Sequence, residues 1–257
     1  MRNLVFSGFV QLFLLLLLLR NDKNDGEKKL FKGQHWKMSD VVIVVLLVNA
    51  LPLLFALTLY ILSRFNVNIY MPVTNIHTLA IYIALLVLLI VLFKFRFKKN
   101  VEALGIETNN IRRSILLGVF VGLISYLLID GLYLLLWPNR YAPDVTKTIR
   151  TPGTLVDLCL YFLVALVLGP VLEEVIYRGI FYSPYRKKYG PAKAVIITSV
   201  FFAMAHFALP SFLFSLLLTA LYEKTESIIP PIIAHSIHNL LVILGVLFLG
   251  GRLGVSS

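Results

Sequence analysis

Between Leu168 and Arg178 the sequence reads Leu-Gly-Pro-Val-Leu-Glu-Glu-Val-Ile-Tyr-Arg, with two carboxylates and a guanidinium closing a long apolar run. A charge at mid-bilayer depth costs roughly 3 kcal/mol on insertion scales. Three such groups together must therefore neutralise one another or do chemistry. Glu174 and Arg178 stand i and i+4, about 6 Å apart along a helix axis and on one face, so they can pair. Glu173 points about 100° away and is the carboxylate left over. Downstream, His235 and Asn239 are also four apart and can address one point in space. His206 follows Phe202 by four, which lets an aromatic ring pack beneath the imidazole. His238, three after His235, lies near the face of His235 or turns to a neighbouring helix; spacing leaves both open. A carboxylate can take a proton from water, an imidazole can orient that water, and an imidazole with an amide can donate to a developing oxyanion. Glu173, His206, His235 and Asn239 thus suffice for hydrolysis of an amide by activated water, with no covalent intermediate.

These side chains need elements that hold them inside a bilayer, and composition supplies those elements. Apolar residues make up 59% of the 257 and charged residues only 14%, whereas a soluble domain is about half apolar and a quarter charged. The chain reads as an all-α polytopic membrane protein, one intramembrane helical domain over residues 1–257. Its single cysteine, Cys159, lies in an apolar run, which excludes an intramolecular disulfide and speaks for a small buried residue. The net charge of +11 would suit nucleic acid, but the basic residues gather in loops between apolar runs, as the positive-inside rule describes. No aromatic-basic platform accompanies them, so nucleic acid is not an expected partner.

Apolar periodicity predicts about eight transmembrane helices. N-terminal helices fill residues 4–137, near 4–19, 41–63 (with a kink at Pro52), 78–93 and 114–137. A motif-bearing core fills residues 154–249, with helices from 154 towards Pro184, near 191–209, near 211–222 and near 232–249. The first run is short for a crossing, and no small-x-small cleavage site follows it, so an uncleaved helix is expected. The run 211–222 is also short. Assigning loops alternately to two sides puts seventeen Lys and Arg on one side and six on the other, with Arg178 left in the membrane. That split favours eight helices with both termini on the less basic side. No repeat of fixed period is present.

Other polar residues in these runs have plainer readings. Asp157, near a helix start, reads as an interfacial acid, Asp130 as structural, and Glu223, Lys224 and Glu226 as a polar turn. Singly, His206 or His235 reads as a packing residue and Glu174–Arg178 as a structural ion pair. The clustering of several such groups in the last helices carries the functional reading.

Glu173-Glu174-x-x-x-Arg178, Phe202-x-x-x-His206 and His235-x-x-x-Asn239 resemble, in order, the three motifs of the CPBP family, which covers type II CAAX prenyl proteases and bacteriocin-processing or immunity proteins. The motifs span residues 173–239, about a quarter of the chain. The segment Leu104-Gly105-Ile106 adds a weaker likeness. The resemblance implies an intramembrane glutamate endopeptidase without cofactor or metal. Glu173 would activate water with help from His206, and His235 and Asn239 would form the oxyanion hole. Glu174, Arg178 and Phe202 would support the site. It further implies a membrane-associated peptide or protein substrate, lipidated ones included. The location would be a multi-pass protein of the cell membrane, or of the endoplasmic reticulum in a eukaryote. Two alternatives stand beside it. One is a zinc protease using Glu173, His206 and His235, which lacks a His-Glu-x-x-His sequence. The other is a non-catalytic immunity or transport-associated protein. Serine and aspartyl intramembrane proteases are disfavoured, because neither Gly-x-Ser-Gly nor Gly-x-Gly-Asp occurs.

Overall fold

The computed structural model describes residues 36–64, 74–97, 105–106, 111–136, 154–206 and 209–249. Among them all regular structure is helical, without strands. Helix α1 is Met38–Arg64. Helix α2 is Thr74–Val91, prolonged by a π-helical stretch, Leu92–Phe97. Helix α3 joins Ile111–Ser125, a π-helical turn Tyr126–Asp130 and Gly131–Leu136. Helix α4 runs over Leu155–Tyr189. Its α-helical parts, Leu155–Leu163, Gly169–Glu174 and Tyr182–Tyr189, are separated by π-helical stretches at Val164–Leu168 and Val175–Phe181. Helices α5 (Pro191–His206), α6 (Leu209–Thr225) and α7 (Ile229–Leu249) follow.

The protein is a helical membrane protein. Four stretches among the described residues are long and apolar enough to cross a bilayer: Thr78–Phe95, Ile111–Tyr133, Leu155–Tyr189 and Ile229–Phe248. Met38–Val48 and Pro191–His206 are shorter apolar stretches. The helix starts and stops mostly follow the sequence reading, except that α4 continues through Pro184 to Tyr189, and these residues support four crossings by length and composition rather than about eight. Helix α5 has 16 residues, a rise of about 24 Å against a hydrocarbon core of about 30 Å. The expected helix near 4–19 lies outside the described residues.

Local chemistry sets the helix ends. Thr154 caps α4, its Oγ1 accepting from the Asp157 backbone N–H at 3.2 Å and donating to the Asp157 carboxylate at 2.9 Å. Asp157, read as an interfacial acid, is buried and forms half of this cap. Gly190, with φ of 79°, ends α4 in the left-handed region and turns the chain into Pro191.

Helix α7 packs closely on α3 because α3 presents Gly118 and Gly122. A Cβ on Gly122 would stand 2.7 Å from the Ala234 carbonyl oxygen, and one on Gly118 would stand 2.7 Å from Ile233 Cβ. Small residues at that spacing allow near-backbone contact between membrane helices. A second packing centre joins α4 to α5, where Phe181 meets Tyr185 and Phe201 with ring centroids 4.7 Å apart in each pair. Between these centres, Phe202, Phe214, Leu218, Leu221 and Ala234 form a smaller buried cluster beside the polar residues of α4.

Candidate active site

Glu173 and Glu174 end the short α-helical part of α4, between its two π-helical stretches. Such widened turns leave backbone groups without their regular partners and recur at functional sites. The first of them explains the place of Asn239. The Gly169 N–H bonds the Val164 carbonyl, and the next residue, Pro170, has no N–H to offer Ala165. Asn239 Nδ2 of α7 donates to the Ala165 carbonyl at 2.8 Å. Asn239 thus satisfies a carbonyl that the wide turn and the proline together orphan, and it ties α7 to the helix bearing Glu173.

The second stretch carries Arg178, whose guanidinium is distributed among three partners. Nη1 donates to Glu174 Oε1 at 2.9 Å, Nη2 to Ser215 Oγ at 2.8 Å and the Ser215 carbonyl at 3.2 Å, and Nε to Thr219 Oγ1 at 3.3 Å. The Phe202 ring covers it, with the guanidinium carbon 5.0 Å from the ring centre. Ser215 and Thr219 come from α6, whose run carried no expected site residue. Their signal was present: two hydroxyls four apart in an apolar run.

Glu174 Oε1 takes a second donor, His235 Nδ1, at 2.9 Å. With Glu174 Oε1 accepting from Arg178 as well, Nδ1 is the donor in this bond, and Nε2 is turned toward Glu173 Oε2, 3.9 Å away. On the other side His206 Nδ1 donates to the Phe202 carbonyl at 2.8 Å. That fixes His206 Nε2 as the atom facing Glu173 Oε2, at 3.4 Å. The Phe202 and His206 rings stack with centroids 4.2 Å apart. Glu173 Oε2 therefore lies between two imidazole Nε2 atoms, and it is a buried oxygen with no hydrogen-bond partner.

Exposure separates the two carboxylates. The side chains of Glu174 and Arg178 are 0% exposed, His235 6%, Glu173 19% and His206 35%. His206 and Glu173 are thus the more exposed of these five side chains and Glu174 is enclosed. Above Glu173 the helix has no side chain at Gly169. A Cβ there would stand 3.6 Å from Tyr82 Cε1 of α2 and 3.9 Å from Glu173 Oε1.

The structure thus brings together Glu173, Glu174, Arg178, Phe202, His206 and His235, with Asn239 on the adjoining turn. Spacing within a helix could not reveal three links between helices: Glu174 to His235, Asn239 to Ala165, and Arg178 to Ser215 and Thr219. His238 turns away from this group. Its Nδ1 lies 2.9 Å from Ser125 Oγ, and its Nε2 lies 3.2 Å from Asp130 Oδ2, both on α3. Among the described residues no group of three His, Cys, Asp or Glu side chains has the arrangement of a metal site.

Residues 155–241 match the model of the Rce1-like family, described as type II CAAX prenyl endopeptidase Rce1-like. This segment is similar to the Rce1-like family. The match begins at the start of α4 and ends two residues beyond Asn239, so it encloses the whole cluster of α4, α5, α6 and α7 side chains. The family's description names an endopeptidase, a hydrolase of peptide bonds. No curated protein and no solved structure matches the chain.

Proposed function

We propose that the protein is an intramembrane endopeptidase that hydrolyses a peptide bond with a water activated by Glu173. The observation that carries this reading is the unpartnered Glu173 Oε2, facing Nε2 of both His206 and His235. Water donating to Glu173 Oε2 and His206 Nε2 would lose a proton to Glu173 as it attacks the peptide carbon. The same carboxyl group would return that proton to the departing amine. His206, its tautomer fixed by the Phe202 carbonyl, would orient the water. The oxyanion would be met by His235 and by the second hydrogen of Asn239 Nδ2, the first being bonded to Ala165. His235 Nδ1 already donates to Glu174, so donation to the oxyanion requires a second proton on Nε2. Neither cofactor nor metal takes part in this scheme.

The substrate would be a membrane-associated peptide or protein, a prenylated CAAX sequence among them, with the lipid bilayer as the other partner and no nucleic acid. The proposal takes residues 1–257 as one intramembrane domain with about eight crossings. It places the protein in the cell membrane, or in the endoplasmic reticulum if eukaryotic. The test uses the full chain in liposomes with a farnesylated CAAX peptide. Cleavage is expected from the wild type, and it should persist in strong chelators. Glu173→Gln or His206→Ala should abolish it. Full activity in either variant would overturn the assignment, and loss of activity on chelation would favour a zinc enzyme. Absence of cleavage together with a binding function that survives Glu173→Gln would favour a non-catalytic immunity or transport-associated protein.

A further inference from the structure

A second polar cluster lies on the other flank of α7, where it meets α3. Ser125 Oγ donates its hydrogen to the Gly122 carbonyl at 2.8 Å, so its bond to His238 at 2.9 Å must be donated by Nδ1. His238 Nε2 then presents a lone pair to Asp130 Oδ2 at 3.2 Å, a contact that ties the helices when the Asp130 carboxyl group carries the hydrogen between them. Asp130 closes the π-helical turn 126–130 of α3, and its Oδ2 is a buried atom without a hydrogen bond. Phe214 of α6 links the two imidazoles of α7. It stacks on His238 with centroids 4.0 Å apart, and meets His235 edge-on at 5.2 Å.

The residue types are those of a serine hydrolase, but the arrangement is not. Ser125 is 0% exposed and its hydroxyl hydrogen is already bonded to Gly122. No substrate carbonyl could reach it. The geometry points to orientation instead. His235 and Asn239 tie α7 to α4, through Glu174 and the Ala165 carbonyl. His238 ties the same two turns of α7 to α3, through Ser125 and Asp130. On each flank a polar side chain of α7 meets a widened turn of its neighbour.

We propose that Asp130, His238 and Ser125 are positioning residues that fix the rotation of α7 about its axis, and with it the aim of His235 and Asn239 into the active site. A side chain stands about 6 Å from its helix axis, so a rotation of about 10° moves its tip by about 1 Å. Displacement on that scale can lower turnover about 100-fold. The matched family segment begins at residue 155, so Ser125 and Asp130 lie outside it. The inference rests on the endopeptidase reading for its consequence in turnover, but not for its structural content.

The test compares the wild type with Asp130→Leu/His238→Phe, which removes both partners in favour of apolar groups and keeps an aromatic ring against Phe214. Two readouts are taken on full-length protein in liposomes: kinetics with the farnesylated CAAX peptide, and nitrogen-15 NMR of labelled histidines, with His235 assigned by its own substitution. The double variant should unfold at a temperature close to that of the wild type. Its kcat should fall about 100-fold with little change in KM, and the His235 Nδ1 resonance should shift or broaden. Asp130→Asn supplies an N–H to the His238 lone pair, so it should restore most of the activity that Asp130→Leu loses. Wild-type kcat and an unmoved His235 resonance in the folded double variant would overturn the inference. A loss in Asp130→Asn equal to that in Asp130→Leu would also overturn it, by pointing to a titrating role. If the double variant does not fold, Ser125→Ala decides by the same two readouts. If the wild-type protein does not cleave the peptide, the endopeptidase reading has failed separately and the His235 resonance alone decides.

Discussion

Glu173 and Glu174 are neighbours with opposite surroundings, and the difference follows from where one helical step points them. Glu174 joins a fully buried set with Arg178, Ser215 and Thr219 through Oε1, its Oε2 being without a hydrogen bond, while Glu173 stands 19% exposed against two imidazole Nε2 atoms. Glu173→Gln keeps the shape and removes the proposed base, so turnover should fall by roughly 10²–10⁴-fold with the thermal unfolding temperature unchanged. Glu174→Gln leaves Arg178 buried without a counter-charge, at a cost of roughly 3–5 kcal/mol. It should therefore appear first in unfolding scans. Glu174 has a second duty that the i, i+4 rule could not reveal, because it accepts from His235 Nδ1. The double replacement Glu174→Leu/Arg178→Met separates the two duties. Exchanging a buried ion pair for apolar groups is often neutral or stabilising, so the fold should recover. His235 would still lack its acceptor, so activity should stay low. Recovery of activity together with stability would show that the Glu174–His235 bond has no part in turnover.

At the scale of elements, the sequence placed the helices well because apolar periodicity is a local property. The irregularities inside them were not legible. Pro170 was visible, but its effect depends on the wide turn 164–168, which leaves the Ala165 carbonyl to a side chain 74 residues away. Asn239 was selected as an oxyanion donor by its spacing from His235. The structure adds a second use, the bond to α4. Asn239→Ala should destabilise by roughly 1–3 kcal/mol, the cost of a buried carbonyl left unpaired. Pro170→Ala returns an N–H at position 170, from which Ala165 can accept. In a double-mutant cycle followed by denaturant unfolding, Pro170→Ala should therefore offset most of the stability lost in Asn239→Ala. Activity should not return, since the amide proposed to meet the oxyanion is still missing. Additive losses in the cycle would mean that the Ala165 carbonyl is not what Asn239 stabilises.

At the scale of the whole molecule, the distribution of charge and the packing of helices give independent accounts of which ends lie together. Loop parity puts residues 94–113, 183–193 and 223–227 on one basic side. In the structure Glu223, at the end of α6, takes a two-pronged bond from Arg186 near the end of α4, with Nε at 2.7 Å and Nη2 at 2.8 Å. Tyr182 donates to the same carboxylate at 2.7 Å. Gly105 accepts from the Ile228 backbone N–H at 2.9 Å, which brings the third of these loops to the same end. Glu223, read from sequence as part of a polar turn, is thus the tie between two helix ends. That role was hidden because Arg186 is 37 residues away. If the positive-inside rule holds, this end faces the cytoplasm. The chain has a single cysteine, so Cys159→Ser gives a background for placing single cysteines at Lys187, Lys224 and Lys147. In intact cells a membrane-impermeant maleimide should label Lys147→Cys alone, whereas opened cells should label all three. Labelling of Lys187→Cys and Lys224→Cys on opposite sides would contradict the tie through Glu223. Labelling of both from outside would keep the tie and reverse the orientation.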